Sequence, residues 1–305
     1  MEQRTLQMRL AVPTVLLYGV GYPLGSATVA VMSPFLVILL RFAASALLLW
    51  VIVLVRGLRL PSRRLIGHAV VAGVLTQGVQ FLGLYWALAH GVPSGLGSLI
   101  ISLNPVVTAA LMSLLMGHRE TRAGLISLAL GAGAVVFACA PRLLADHSMG
   151  AGVLAVVVAM LGLSVGGIYQ GRHCTQMDPW MVTAIGLTAS TPFAGVATLL
   201  TPVHCDNWPR ALGLLAVMVV LSSVGATTLY AACIRRSGAR AASILFAVIP
   251  AAASVMAWIG LGEDLSAFTL IGLALGSAAC LLQSRSAAPQ PNRVDRGARS
   301  ESSAR

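Results

Sequence analysis

The chain has 305 residues, 57% of them hydrophobic and only 10% charged, with a mean hydropathy of +0.87. A soluble domain carries about 25% charged residues, so the composition excludes a soluble enzyme or soluble binding module and fits an all-α polytopic membrane protein. The net charge of +11 does not indicate nucleic acid, because the arginines sit in short loops and in the C-terminal stretch, where they face anionic headgroups.

A bilayer core needs about 20 apolar residues per helix. Ten such spans are predicted, near residues 10–30, 34–55, 66–89, 93–116, 121–140, 151–171, 180–200, 211–234, 239–261 and 266–284. They are called the first to the tenth span below. The first is too long for a signal-peptide core. Residues 285–305 are rich in Ser, Ala, Pro and Arg without apolar periodicity, which predicts a disordered cytoplasmic tail.

The spans repeat. A shift of 145 residues places Pro34 on Pro179, Tyr85 on Tyr230, Pro105 on Pro250, Gly117 on Gly262 and Gly131 on Gly276. Residues 1–140 and 150–284 therefore read as two copies of one five-helix unit. An odd number of crossings per copy forces the second to enter the membrane from the opposite side, as in transporters with inverted repeats. Charge agrees with this reading, because Lys and Arg at span ends stay cytoplasmic. There is no Lys, and the loop after the second span carries Arg56, Arg59, Arg63 and Arg64, whereas its counterpart at 201–209 carries no arginine. Both termini are thus expected in the cytoplasm, with the chain in the plasma or inner membrane.

Few polar groups fall inside the spans. Arg41 is the one ionisable residue well within a predicted span. It reads either as a cavity residue that attracts an anionic group, or as a structural arginine held by helix-end carbonyls or by Glu263. Pro105 and Pro250 fall near the middles of the fourth and ninth spans, where a proline removes a backbone bond and bends the helix. Such bends are tolerated beside protein or a watered cavity, so the two prolines are candidate kink or gating positions, and Asn104 a candidate substrate contact. In the third span Gln77, Gln80 and Leu84 share a face, and Tyr85 matches Tyr230 of the eighth. Tyr18 and Tyr22 share a face of the first span beside Gly21 and Gly25, either lining a cavity or sitting at the interface next to a small-residue seam.

Pro34 followed by Leu40-Arg41-Phe42, Ser98-Leu99-Ile100 leading to Asn104-Pro105 and the Gly117 turn, repeated as Ser243-Ile244-Leu245, Ile249-Pro250 and Leu261-Gly262-Glu263, resemble the EamA family of the drug/metabolite transporter superfamily. The resemblance implies two inverted five-helix units around a central cavity and export of small metabolites or drugs. His118 stands where the family usually has an acid, and the first span lacks the embedded Glu of the small multidrug relatives.

The expected function is secondary transport, as an exporter, of an amino-acid-like or drug-like solute. Expected cavity residues are Tyr22, Arg41, Gln77, Gln80, Tyr85, Asn104 and Tyr230. The five cysteines are scattered singly without C-x-x-C, so neither a metal nor a disulfide framework is expected, and no cofactor is implied. The partners expected are a small-molecule substrate and membrane lipid, not nucleic acid, on a scaffold that permits a homodimer. A non-transporting sensor is the alternative on the same scaffold. An intramembrane enzyme is disfavoured, because Ser98 and Ser164 lack a His partner within the membrane.

Overall fold

The computed structural model of the protein describes residues 8–90, 92, 94–116, 149–246, 248 and 249, and isolated positions within 126–130 and 252–278. The fifth and tenth spans lie largely outside the described residues, as do the second half of the ninth, Pro250, Glu263 and the tail. Among the described residues regular structure is helical apart from an isolated pairing of Met32 with Cys205. Seven helices among the described residues are long and apolar enough to cross a membrane. The chain is an all-α polytopic membrane protein.

Helix ends follow local chemistry. The second and seventh spans fold as Pro34–Val55 and Pro179–Leu199, each with proline in its first turn, where the missing N–H has no intrahelical role. Asp178 caps the seventh by accepting from the Trp180 N–H at 2.9 Å. Ser62 and Asn207 cap the third and eighth, extending both helices past the apolar stretch, to Arg63–Ala89 and Trp208–Ser237. The first and sixth are Met8–Val29 and Met149–His173. The fourth is two helices, Ser94–Ser102 and Asn104–Met116. The break falls at Leu103, whose N–H bonds Ile100 at 3.1 Å, because Pro105 has no N–H to continue the ladder.

The third and eighth spans each contain a π-helical segment, Val74–Val79 and Val219–Ala226. The two begin at positions related by the 145-residue shift, so the widened turn belongs to the repeated unit. Mate helices also cross antiparallel. Arg56, after the end of the second span, stacks 4.7 Å from the ring of Trp180 at the start of the seventh. At the other end, the Ser33 N–H bonds His204 O at 3.0 Å. The second span packs on the seventh, the first on the eighth and the third on the sixth, a pattern unchanged when every helix is exchanged for its mate.

Hydrophobic burial cannot drive helix association in lipid, so close approach of small residues does. Gly73 and Gly186 mark the crossing of the third and seventh spans, where a Cβ on Gly73 would lie 2.0 Å from the Gly186 Cα. Large apolar side chains such as Leu47, Leu54 and Leu199 point outward, whereas Phe42, Ile38 and Leu49 fill the interior between spans. Gly73→Ala should destabilise the purified protein by about 1–3 kcal/mol, because backbone must move. Gly67→Ala, with nothing within 4 Å, should change stability by no more than about 1 kcal/mol. Thermal unfolding in detergent compares the two, and equal effects would refute the crossing.

Candidate substrate cleft

The third span brings Gln80, Phe81, Leu84, Tyr85 and Leu88 to one face, opposite Tyr18, Gly21, Tyr22, Gly25 and Ser26 of the first. Arg41 of the second span and Ser222 of the eighth complete a cleft of about 520 Å³, part of it open to solvent. Four of the expected residues, Tyr22, Arg41, Gln80 and Tyr85, therefore meet in one place. Glycines allow the approach. A Cβ on Gly21 would sit 2.5 Å from Ser222 Oγ, and one on Gly25 would sit 3.0 Å from the Tyr85 hydroxyl.

Arg41 is 2% exposed. Its Nε donates to Ser223 Oγ, its Nη2 lies 3.5 Å from Ser222 Oγ, and its guanidinium sits 4.2 Å from the centre of the Phe81 ring. Both serines belong to the π segment of the eighth span. The partners are thus two hydroxyls and a ring face, not helix-end carbonyls; Glu263 lies outside the described residues. Among the described residues the one ion pair is Arg235 with Asp178, 3.9 Å apart and about one-third exposed on each side chain, which contributes little.

Tyr230 and Asn104 lie beneath the cleft rather than on its wall. Tyr18, Tyr230 and Phe246 form an aromatic floor, with ring centres 5.1–6.2 Å apart. Asn104 Nδ2 is buried without a hydrogen-bond partner among the described residues. Asn104 Oδ1 accepts from Ser164 Oγ at 2.6 Å and from Thr108 Oγ1 at 3.1 Å, so Ser164 is engaged with an amide and not with a base. Gln77 is buried within the π segment of the third span and does not line the cleft. Pro105 follows Asn104 at the break, and Pro250 lies outside the described residues.

Sequence reasoning missed Ser222, Ser223 and Phe81. The signal available was an adjacent pair of hydroxyls inside an apolar span, at positions matching Gln77 and Gly78. Away from the cleft, His68 Nδ1 meets the Tyr169 hydroxyl at 2.7 Å, and its ring stacks on His173 at 4.6 Å, tying the third span to the sixth at the arginine-rich end. Among the described residues no group of three His, Cys, Asp or Glu could hold a metal.

The space related to the cleft by the repeat lies between the sixth, seventh and eighth spans. The mates of the cleft residues pack closed there, and the narrow crevice between the same spans, lined by Gln170, Cys174, Pro179, Ala231 and Ile234 among others, lies nearer their arginine-rich ends. Above it the sixth span lies against its neighbours. A Cβ on Gly166 would meet Thr76 Cγ2 at 2.6 Å, and one on Gly167 would lie 3.5 Å from the Tyr230 hydroxyl. One half-site is open and its mate is closed.

Known proteins share this organisation. The chain is 26% identical over 283 residues to the "Uncharacterized transporter YvbV" of Bacillus subtilis, covering 90% of each chain. It is 26% identical over 227 residues to the "Uncharacterized inner membrane transporter YedA" of Escherichia coli K12, covering 73% of this chain and 72% of that one. It is also 28% identical over 244 residues to the "Probable terminal-alkyne amino-acid exporter" of Streptantibioticus cattleyicolor, covering 75% and 76%. A solved crystal structure overlays with a TM-score of 0.68 at 19% identity, over 92% of this chain and 98% of the other, a likeness of fold alone. The profile of the EamA-like transporter family matches residues 7–139 and again 150–285. With two copies of that unit and an antiparallel crossing of mate helices, the chain belongs to the EamA-like transporter family.

Proposed function

We propose that the chain is a secondary transporter, working as an exporter, of a small amphipathic, amino-acid-like solute that binds in the cleft between the first, second, third and eighth spans. The observation that carries this reading is the pairing of an open cleft with its closed repeat mate. In an inverted-repeat protein, exchange of conformation between the two copies would close the first and open the second, which is alternating access. Tyrosines, Phe81 and Gln80 on the cleft wall suit an apolar body with a few hydrogen-bonding groups. The resemblance to a named amino-acid exporter supports both the solute class and the direction. The cleft lies away from the ends that carry Arg56, Arg63 and Arg64. If that arginine-rich end is cytoplasmic, the open half faces outward, the state from which an exporter releases.

Proteoliposomes of the purified protein, screened with labelled amino acids and amphipathic drugs, test this reading, and absence of flux for every solute would defeat it. Gln80→Leu should lower flux about tenfold, the effect of one lost hydrogen bond of about 1.4 kcal/mol, at unchanged thermal stability. Asn104→Leu should act the other way round. It leaves the Ser164 and Thr108 hydroxyls without their acceptor and should cost about 1–3 kcal/mol of stability.

Cys233 is the repeat mate of Leu88 and is now buried beside Thr14, with Sγ 3.9 Å from the Thr14 hydroxyl. In a chain stripped of its other cysteines, an impermeant maleimide should label Cys233 slowly and from the cytoplasmic face alone. Leu88→Cys in a fully cysteine-free chain should be labelled from the outside. Labelling of both positions from one face would contradict exchange between the two half-sites.

A further inference from the structure

We infer that Arg41 is the anchor for the carboxylate of the transported solute, which makes the substrate class a carboxylate-headed molecule with an apolar or aromatic body; this rests on the transporter reading and deepens it. The guanidinium is nearly wholly buried, yet it borders the cleft and faces no carboxylate among the described residues. Burying a cation without a counter-charge is costly, so such residues in membrane interiors mark ligand pathways or counter-ions. Its surroundings hold it without neutralising it.

The geometry also selects the shape of the anion. Ser223 and Ser222 engage Nε and Nη2, and Phe81 covers one face of the group at 4.2 Å. These contacts fix the plane of the guanidinium. Nη1 bonds to no described residue, which leaves donors in the plane for a planar acceptor with two oxygens. A carboxylate has that form. Among the described residues no acid lines the cleft, so an ammonium group would find only neutral acceptors on these walls, such as Gln80 and the tyrosine hydroxyls. Recognition by charge is therefore one-sided, directed at the anion, while Tyr18, Tyr22, Leu84 and Tyr85 receive the body of the solute.

The test is equilibrium binding of five phenyl probes to the full chain in lipid nanodiscs at neutral pH: 3-phenylpropionate, L-phenylalanine, L-phenylalaninamide, phenethylamine and phenylphosphonate. The two carboxylates should bind about tenfold or more tightly than the amide and the amine. Arg41→Gln should reduce the carboxylates to the level of the amide, and Arg41→Lys should restore part of the preference. Ser223→Ala keeps the charge but loosens its orientation, so it should weaken the carboxylates about threefold and provides a readout even if Arg41→Gln does not fold. Phenylphosphonate binding tighter than either carboxylate would assign the site to tetrahedral anions and overturn the carboxylate reading. The proposal is likewise overturned if none of the probes binds, if affinity ignores the head group, or if Glu263→Gln alone removes the preference, which would make Arg41 the partner of an internal acid. Flux measured in parallel separates the two readings. Head-group-blind binding with flux removes the anchor and leaves the transporter, whereas selective binding without flux does the reverse.

Discussion

Lipid offers no hydrogen bonds, so polar groups within a helix bundle pair inside the protein or face a watered cleft. That constraint organises this chain. Hydroxyls fold back on their own helices, as Thr14 does to Leu10 O and Thr28 to Leu24 O, both at 2.6 Å. The break at Leu103 is closed by Ser102 Oγ donating to Leu99 O at 2.6 Å. In the π segment of the eighth span the Ser223 carbonyl accepts the Thr227 hydroxyl, while the Ser223 hydroxyl turns to Arg41. Among the described residues the buried polar atoms without a partner are Ser33 Oγ, Ser45 Oγ, Asn104 Nδ2 and Thr228 Oγ1, whereas Arg41 is held by its serines and still borders the cleft.

The same constraint explains why the repeat is legible and why its details are not. Span length, the 145-residue shift and the arginine bias are averages over many residues, and single deviations do not erase them. The antiparallel packing of mate helices followed from an odd count of spans and stands in the contacts of Ser33 and Arg56 with the far ends of the partner helix. The π segments left no such trace. They contain neither proline nor a fixed motif, and the extra residue per turn is settled by side-chain packing between helices rather than by local propensity.

Individual residues of the candidate cleft were legible only where polarity stood out against an apolar span. Arg41, Gln80, Tyr22 and Tyr85 could be found in this way. Tyr230 and Asn104 were equally conspicuous, but the third dimension turns them to the floor and to Ser164. Phe81 looks like any core aromatic until the guanidinium lies over it. The position of a group around the helix axis depends on the register of the π turn, so regular periodicity misplaces a residue inside it, as with Gln77 in the third span.

The two half-sites share a scaffold and differ in chemistry. Tyr18, Tyr22 and Arg41 of the open cleft have Leu163, Gly167 and Gly186 as mates. Bulky side chains hold the first span off the third, whereas glycines let the sixth lie against the third and eighth. Openness in this state follows from residue volume as much as from any conformational choice. The charge is equally lopsided. Exchange between the copies would leave the guanidinium in place while the walls around it move, so a solute bound there would meet its anchor in both states and its aromatic walls in one. Affinity should then be lower on the side where the walls are glycine. The asymmetry between the copies therefore lies in how tightly the two sides would hold a solute, while the direction of net movement is set by the gradient across the membrane.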